Sequence, residues 1–288
     1  MEFVGLTIEM EVKGDGEYVW LHQEKDVGQF LEAAGMACVR HLKCPMPNKM
    51  ELVSDCTVVE GAEAAWYRSV FGQLSWFATT TRWDIAHSVS RLGQFVASPT
   101  VGAVRAMKRV VAYVASTAGF KIGGPKLSQT RVEYHCDSDC GGEIKPGLHA
   151  KSQTGIMLML NGVPVAWKSQ KQAYTATSPA TAEITALYDA VVQARALQWR
   201  CEELGMTMPW PLEMCVDNTQ AKSFSENTCV SSKLVGVYDM RDDWVQTLRD
   251  QGLVRVRYVK GQANKANVLT KCLSSGAFNS GVRVVADG

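Results

Sequence analysis

The chain has 288 residues, of which 46% are hydrophobic and 20% are charged, and these proportions exclude a disordered chain. The formal net charge of +1 excludes a strongly basic protein whose overall field attracts nucleic acid, so any nucleic-acid site must be a local patch. Nine scattered cysteines without a CxxC pair, no signal peptide and no apolar run of about 18 residues indicate an intracellular protein, cytoplasmic or nuclear, with reduced thiols and no membrane span.

The first 60 residues begin with a predicted β-hairpin. Residues 2–11 and 17–22 alternate apolar and polar side chains around Lys13–Gly16, where the glycines suit a tight turn. Helical spacing of the apolar residues predicts a helix over Gln23–Ala34. Residues 36–61 show no clear period, and two prolines there indicate an extended linker.

Three helices are predicted between residues 62 and 117, because apolar side chains recur there with helical spacing. The third, from Val101 to Ala118, carries Arg105, Lys108 and Arg109. These cations either form a solvated face of a helical packing unit or follow a phosphate backbone. The residue pattern alone favours the solvated face.

From residue 131 the pattern changes to three strands followed by alternating helices and strands, after a domain boundary predicted in 119–130 at Gly-Gly-Pro (123–125). The predicted strands are about 131–138, 153–160, 163–168, 212–217 and 253–259. Asn161-Gly162 is a hairpin signal, and Ser178-Pro179 begins a long helix with serine as N-cap. This order predicts an α/β domain with a mixed sheet and helices on both faces.

Carboxylates lie at the ends of two predicted strands and near the start of the long helix. Asp137 and Asp139 end the first strand in YHCDSDC (134–140), Asp217 ends LEMCVD, and Glu183 lies in the second turn of the helix. Reactive groups gather at strand ends in α/β sheets, and close carboxylates repel one another unless a cation neutralises them. Sites that cleave phosphodiesters can hold two hard cations about 4 Å apart. One cation activates the water and the other stabilises the leaving oxygen. Any one acid is most simply a cap or a surface group, whereas together they favour a site for two Mg²⁺ or Mn²⁺ ions.

Polar side chains around the long helix are candidates for substrate binding. They are Lys168, Lys171, Thr177, Ser178, Thr181 and Asn218. The hydroxyl groups crowd the start of the helix, where free backbone N–H groups favour phosphate. An N-cap beside a soluble loop explains the same residues equally well.

Six segments of the second half form an ordered series of motifs: YHCDSDCGG (134–142), KSQTGIMLMLNGVPVAWKSQKQ (151–172), SPATAEITAL (178–187), CVDNTQA (215–221), SSKLVGVYDMR (231–241) and ANVLTKCL (266–273). Together they resemble the ribonuclease H domain of copia-type LTR retrotransposon Pol polyproteins. In the first half, FVGLTIEM and LHQEKDVGQFLEAAGM resemble the last palm hairpin and helix of the reverse transcriptase in the same polyprotein. WYRSVFGQLSWFATTTRWDIAHSVSRLGQFVASPT resembles its thumb and connection helices. The order and spacing of these segments make the resemblance specific.

The resemblance implies a chain of four segments. Residues 1–60 are the palm-end hairpin, helix and linker, and residues 61–125 are the helical thumb and connection segment. Residues 130–273 are a ribonuclease H-like α/β domain, a five-stranded mixed sheet with flanking helices, and residues 274–288 are a tail.

The resemblance also implies an activity, the divalent-metal-dependent hydrolysis of the RNA strand of RNA–DNA hybrids. Carried over residue by residue, the catalytic acids and metal ligands fall on Asp137, Glu183 and Asp217, with Asp139 secondary. The implied partners are an RNA–DNA hybrid, bound through its shape, phosphates and 2′-hydroxyls, and the rest of a Pol polyprotein.

Two departures from the family pattern keep alternatives open. The fourth acid, in a pattern such as ADLLTK, is Asn267 here, whose oxygen can still ligate a metal without contributing charge, so one ion is expected to bind weakly. The paired aspartates of the reverse transcriptase do not occur, so no polymerase activity is expected. One alternative is a decayed copy that folds and at most binds nucleic acid. Another nuclease of the same fold, such as a resolvase or integrase-like enzyme, fits the motifs of both halves less well.

Overall fold

The structure, a computed structural model, describes residues 1–14, 16–36, 41–47, 50, 52, 55–126, 131–141, 151–226 and 240–286. The chain divides into two compact units, Met1–Lys126 with Cys272–Arg283 and Leu127–Lys271 with Val284–Gly288. Two parts of the predicted motifs, Gly142 and residues 231–239, lie outside the described residues. No helix in the described part of the chain is both long and apolar enough to cross a membrane.

The described residues of the first unit contain an antiparallel sheet of four strands in the order β1-β2-β3-β4. The strands are β1 (Glu2–Phe3), β2 (Leu6–Lys13), β3 (Gly16–His22) and β4 (Lys121–Pro125). The predicted hairpin is the β2–β3 pair. The two units divide between Lys126 and Leu127, inside the boundary predicted in 119–130. The Gly-Gly-Pro part of that range is strand β4, in which Gly123 pairs with Trp20. A Cβ at Gly123 would lie 2.0 Å from the carbonyl oxygen of Val19, so this close pairing requires glycine.

In the described part of residues 1–126, four helices contribute buried apolar side chains to the first unit. They are α1 (Glu24–Ala33), α2 (Gly61–Thr80), α3 (Ala86–Gly93) and α4 (Val101–Ser116), with a 3₁₀ turn at Trp83–Ile85. Helices α2, α3 and α4 correspond to the three predicted from apolar spacing. On α4, the Lys108 ammonium pairs with Glu63 at 3.8 Å, and Arg109 donates to the Cys44 sulfur at 3.8 Å. These contacts favour the packing interpretation of the basic residues over a phosphate track.

The described residues of the second unit contain a mixed sheet of five strands in the order β7-β6-β5-β8-β9. The strands are β5 (Val132–Asp139), β6 (Gln153–Leu160), β7 (Val163–Lys171), β8 (Leu212–Val216) and β9 (Val254–Tyr258). Strands β5, β6 and β7 are antiparallel neighbours, whereas β8 runs parallel to both β5 and β9. The predicted fold class, a five-stranded mixed sheet with flanking helices, is confirmed.

Helices pack on the sheet of the second unit through a long apolar stripe. The helices are α5 (Pro179–Glu203), α6 (Thr219–Glu226) and α7 (Met240–Asp250). Helix α8 (Ser275–Ala286), in the segment predicted only as a tail, lies mostly in the part of the chain that belongs to the first unit. The α5 stripe, which includes Leu187 and Val191, packs on Tyr134 and Ile156 of the sheet. Each such fully buried aliphatic side chain contributes about 1.5–3 kcal/mol. The opposite face of the sheet contacts a 3₁₀ turn, Lys265–Leu269.

Candidate active site

Three carboxylates meet where two parallel strands end beside the start of α5. His135 of β5 pairs with Cys215 of β8, and Asp137 and Asp217 each follow two residues later, so the register places both acids at one edge of the sheet. Glu183 reaches the same edge from α5. One oxygen of each carboxylate lies within 4.8 Å of the other two. The structure therefore brings together the predicted Asp137, Glu183 and Asp217, hereafter the acid cluster.

The start of α5 is fixed by local sequence, and this sets the position of Glu183. The Ser178 hydroxyl accepts a hydrogen bond from the Thr181 backbone N–H at 3.1 Å, as an N-cap does, and Pro179 occupies the first helical turn. The Ser138 backbone N–H of β5 donates to Glu183 Oε1 at 3.3 Å. Strand and helix are thus joined through the glutamate itself.

Two of the three acids are buried, and burial changes their protonation. The exposed fractions of Asp137 and Glu183 are 2% and 6%. Burial, with repulsion from Asp137 and Asp217, raises the pKa of Glu183 to about 8. Burial raises the pKa of Asp137 to about 6; the Lys271 ammonium opposes this rise and Asp217 adds to it. Three close acids in a low-dielectric site favour a bound cation.

Two buried oxygens at this edge accept no hydrogen bond within the described part of the chain. They are Glu183 Oε2 and Asn267 Oδ1. The Asn267 amide donates to the carbonyl of Gly261, and a Cβ at Gly261 would lie 3.1 Å from Asp217 Oδ2. Asn267 is therefore anchored to backbone that lies beside the acid cluster. Because a buried acceptor without a donor is unfavourable, the Glu183 oxygen, which belongs to the acid cluster, fits a hard cation that takes oxygen ligands.

Sequence reasoning missed two residues that contact Asp137. The Thr270 hydroxyl donates to Asp137 Oδ2, and the Lys271 ammonium lies 3.6 Å from the same oxygen. Both belong to the segment ANVLTKCL, from which only Asn267 was assigned a role. The motif contains both residues, but the local sequence around Thr270 and Lys271 does not predict their contact with a strand more than one hundred residues earlier.

The chain from Asn264 to Lys271, hereafter the 264–271 segment, is anchored to the sheet along its length. The Asn264 amide donates to the Cys136 carbonyl at 2.8 Å, and the Leu269 carbonyl accepts from Ser169 at 2.6 Å. Between them, Lys265 Nζ lies 3.1 Å from Glu133 Oε2. Glu133 also contacts His135 at 3.2 Å, and this contact, followed by the one with Lys265, lowers the pKa of Glu133 to about 2.

Asp139, predicted as a secondary acid, is the last residue of β5. Among the described residues it is not a member of the group whose oxygens lie within 4.8 Å of one another. Its charge contributes to the raised pKa of Asp137.

The residues predicted to bind substrate take part in contacts within the protein. Lys168 Nζ lies 3.6 Å from Asp189 Oδ2 on α5, and Lys171 ends β7 opposite Gln153. Asn218 Oδ1 accepts from the Ala221 backbone N–H at 3.2 Å at the start of α6. The hydroxyl oxygens of Thr177 and Ser178 lie 3.4 Å and 2.9 Å from that of Thr181. Their contacts with a substrate stay predictions.

Comparison with known proteins finds relatives that include much longer chains. No protein-family model matches the sequence. The retrovirus-related Pol polyprotein from transposon TNT 1-94 of Nicotiana tabacum is 27% identical over 267 residues, which cover 90% of this chain and 20% of the relative. The Pol polyprotein from transposon RE1 of Arabidopsis thaliana is 29% identical over 269 residues, 90% of this chain and 17% of the relative. The chain thus spans about a fifth of the length of these curated relatives.

Among solved structures, similarity is found to the N-terminal RNase H domain of rv2228c from Mycobacterium tuberculosis. The sequence identity is 15% and the TM-score is 0.35, with 55% of this chain and 100% of that chain covered.

Proposed function

We propose that the chain is a divalent-metal-dependent endonuclease that hydrolyses the RNA strand of RNA–DNA hybrids, a proposal supported by its similarity over 90% of its length to retrovirus-related Pol polyproteins of plant transposons. The observation that carries the proposal is the acid cluster, whose three carboxylates lie within 4.8 Å of one another at one edge of the mixed sheet. The hybrid substrate follows from the resemblance of the second half of the chain to the ribonuclease H domain.

The acid cluster has the ligands for hard cations. Asp137, Glu183 and Asp217 would hold two Mg²⁺ or Mn²⁺ ions, with the Asn267 oxygen as a weaker, uncharged ligand. Bound ions of this kind supply an activated water and stabilise the leaving oxygen of a phosphodiester. A cation bound there would interact strongly with the charged carboxylates away from water, and it would displace the protons that burial favours on Asp137 and Glu183.

The neighbouring groups hold the carboxylates in place for this chemistry. The Ser138 N–H fixes one oxygen of Glu183 and leaves Oε2 without a donor among the described residues. The Thr270 hydroxyl fixes Oδ2 of Asp137. Ligands that are already oriented lose little conformational freedom when a cation binds, so such a site is preorganised.

The test is the cleavage of a hybrid that carries different labels on its RNA and DNA strands, by the purified chain in Mg²⁺ and separately in Mn²⁺. We expect cuts in the RNA strand alone and a loss of at least about 100-fold in Asp137→Asn, since each acid is required. Asp250→Asn, the same substitution at an exposed acid of α7, is the control and should cleave like the original chain. Cuts in both strands would point instead to another nuclease of the same fold.

A second candidate is a decayed copy that binds the hybrid without cutting it. The observation that favours it is Asn267, an uncharged residue where the family pattern has an acid. Hybrid binding by a folded chain, without cleavage in either metal, would support this candidate over the enzyme.

A further inference from the structure

Lys271 places a positive charge on the acid cluster. Its ammonium lies 3.6 Å from Asp137 Oδ2, and 41% of the Lys271 side chain is exposed, against 3% of the Asp137 side chain. The carboxylate is therefore fixed and buried, whereas the lysine reaches it from the solvent side.

The backbone that delivers Lys271 is held by packing on the sheet, whereas its side chain is partly exposed to solvent. A Cβ at Gly155 of β6 would lie 2.6 Å from Thr270 Cγ2 and 2.9 Å from the Ala266 carbonyl oxygen, so the 264–271 segment packs directly on the strand. The Leu269 carbonyl, two residues before Lys271, accepts from Ser169. A long side chain on such a base can move between the carboxylate and water without moving the backbone.

The charges at this edge make the ammonium and a divalent cation competitors. The cluster carries three carboxylates within 4.8 Å of one another. The other lysine of the 264–271 segment, Lys265, is buried and pairs with Glu133, so it is not a charge partner of the acid cluster. A cation held by Asp137 would repel an ammonium 3.6 Å from the same oxygen, and the exposed lysine has open solvent to enter.

We propose that the Lys271 ammonium is an exchangeable counter-ion of the acid cluster, an inference that rests on the proposed metal site. It neutralises Asp137 while no divalent cation is bound and leaves that carboxylate for solvent when a cation binds. Lys271 thereby sets how much divalent metal the protein requires.

The experiment measures Mn²⁺ binding directly, from the electron paramagnetic resonance signal of free Mn²⁺, with Mg²⁺ calorimetry as a second readout. Lys271→Gln should tighten binding on the order of tenfold, because the competing charge is gone. Lys271→Arg keeps the charge and should bind like the original chain. Lys126→Gln removes an equal charge from an exposed pair with Glu17 and should change nothing.

The outcomes separate this inference from the proposed function. Unchanged or weaker Mn²⁺ binding by Lys271→Gln, with clear binding by the original chain, overturns the counter-ion role and leaves the metal site standing. Equal tightening by Lys126→Gln assigns the effect to net charge and also overturns it. If neither the original chain nor Lys271→Gln binds Mn²⁺ at millimolar concentration, the metal site itself fails and the counter-ion role fails with it.

Discussion

The neutral amide of Asn267 makes a contact that a carboxylate could not make. Its amide nitrogen donates to the Gly261 carbonyl, which an aspartate could not do, and its Oδ1 accepts no hydrogen bond within the described ranges. An aspartate would face that carbonyl oxygen with a negative oxygen. The residue present is therefore compatible with a cation-free edge, whereas an acid would require a cation to offset the repulsion.

Asn267→Asp should consequently destabilise the protein in the absence of metal and lower its metal requirement in cleavage assays. In EDTA we expect a loss of about 1–3 kcal/mol in the free energy of unfolding, because a hydrogen bond is replaced by repulsion. In cleavage assays the Mg²⁺ concentration for half-maximal rate should fall on the order of tenfold, since a charged ligand replaces a neutral one. Urea unfolding and metal titrations measure the two effects.

Asn161→Asp is the control for that change. It adds the same charge at the β6–β7 turn and keeps the oxygen that accepts from the Arg131 N–H. If Asn267→Asp does not change the Mg²⁺ concentration for half-maximal rate, Asn267 is not a weak metal ligand.

The raised pKa of Glu183 predicts a pH dependence of stability in the absence of divalent metal. An unfolded glutamate releases its proton near the ordinary value of 4.5, whereas folded Glu183 keeps it up to about 8. The folded state then binds the extra proton, so the free energy of unfolding should fall as the pH rises from about 4.5 to about 8. Because the pKa of Asp137 is raised from 3.8 to about 6, this residue adds to the loss of stability in the lower part of the same pH range.

Urea unfolding in EDTA across this range is the measurement. Glu183→Gln should flatten the decline, and millimolar Mg²⁺ should remove it from the original chain. The pKa of Glu133 is lowered to about 2, so its contribution to stability is lost only as the pH falls below about 4.5. Glu133 therefore does not mask the decline expected between pH 4.5 and 8. Stability that rises between pH 4.5 and 8 would contradict the burial argument.

At the scale of elements, the close approach of β6 and the 264–271 segment holds the site together. Gly155 pairs with Asp137 across the β5–β6 ladder, and the segment crosses directly over it. Any side chain at Gly155 would push the segment, and with it Thr270 and Lys271, away from Asp137.

Gly155→Ala should therefore damage both stability and the site. The added Cβ would meet the Ala266 carbonyl at 2.9 Å, and such overpacking costs about 1–3 kcal/mol. Hybrid cleavage should fall by more than about tenfold, because small displacements of positioning groups lower rates strongly. Gly72→Ala on α2 meets nothing within 4 Å and should instead stabilise by up to about 1 kcal/mol. Equal unfolding curves for Gly155→Ala and the original chain would show that the contact is not tight.

Elements set by local pattern could be predicted, whereas those set by distant partners could not. The convergence of the acids could be anticipated, because strand ends and helix caps are local signals and parallel strands align their ends. Strand β4 could not, because Gly123 and Pro125 oppose strand formation locally and only pairing with β3 makes a glycine necessary. The contact of Thr270 and Lys271 with Asp137 depends on tertiary packing in the same way.

At the scale of the whole molecule, each of the two units has fully buried apolar side chains among its described residues. Leu74 of α2 is fully buried in the first unit, and Leu187 of α5 is 1% exposed in the second. The acid cluster rests on the apolar core of the second unit, because α5 carries both Leu187 and Glu183. We propose that the ribonuclease H-like domain of residues 130–273 is stabilised by this core alone.

Two matched leucine truncations test that proposal. Leu187→Ala and Leu74→Ala should each cost about 2–5 kcal/mol, because both leave a cavity in a close-packed interior. Hydrogen exchange followed by mass spectrometry should show faster exchange of β5, β6 and β8 in Leu187→Ala, together with weaker Mn²⁺ binding, since the Glu183 helix loses its packing. In Leu74→Ala the faster exchange should be confined to the first unit and Mn²⁺ binding should be unchanged. If Leu74→Ala instead accelerates exchange in β5 and β8 as strongly as Leu187→Ala does, the two units unfold as one and the proposed domain is not independent.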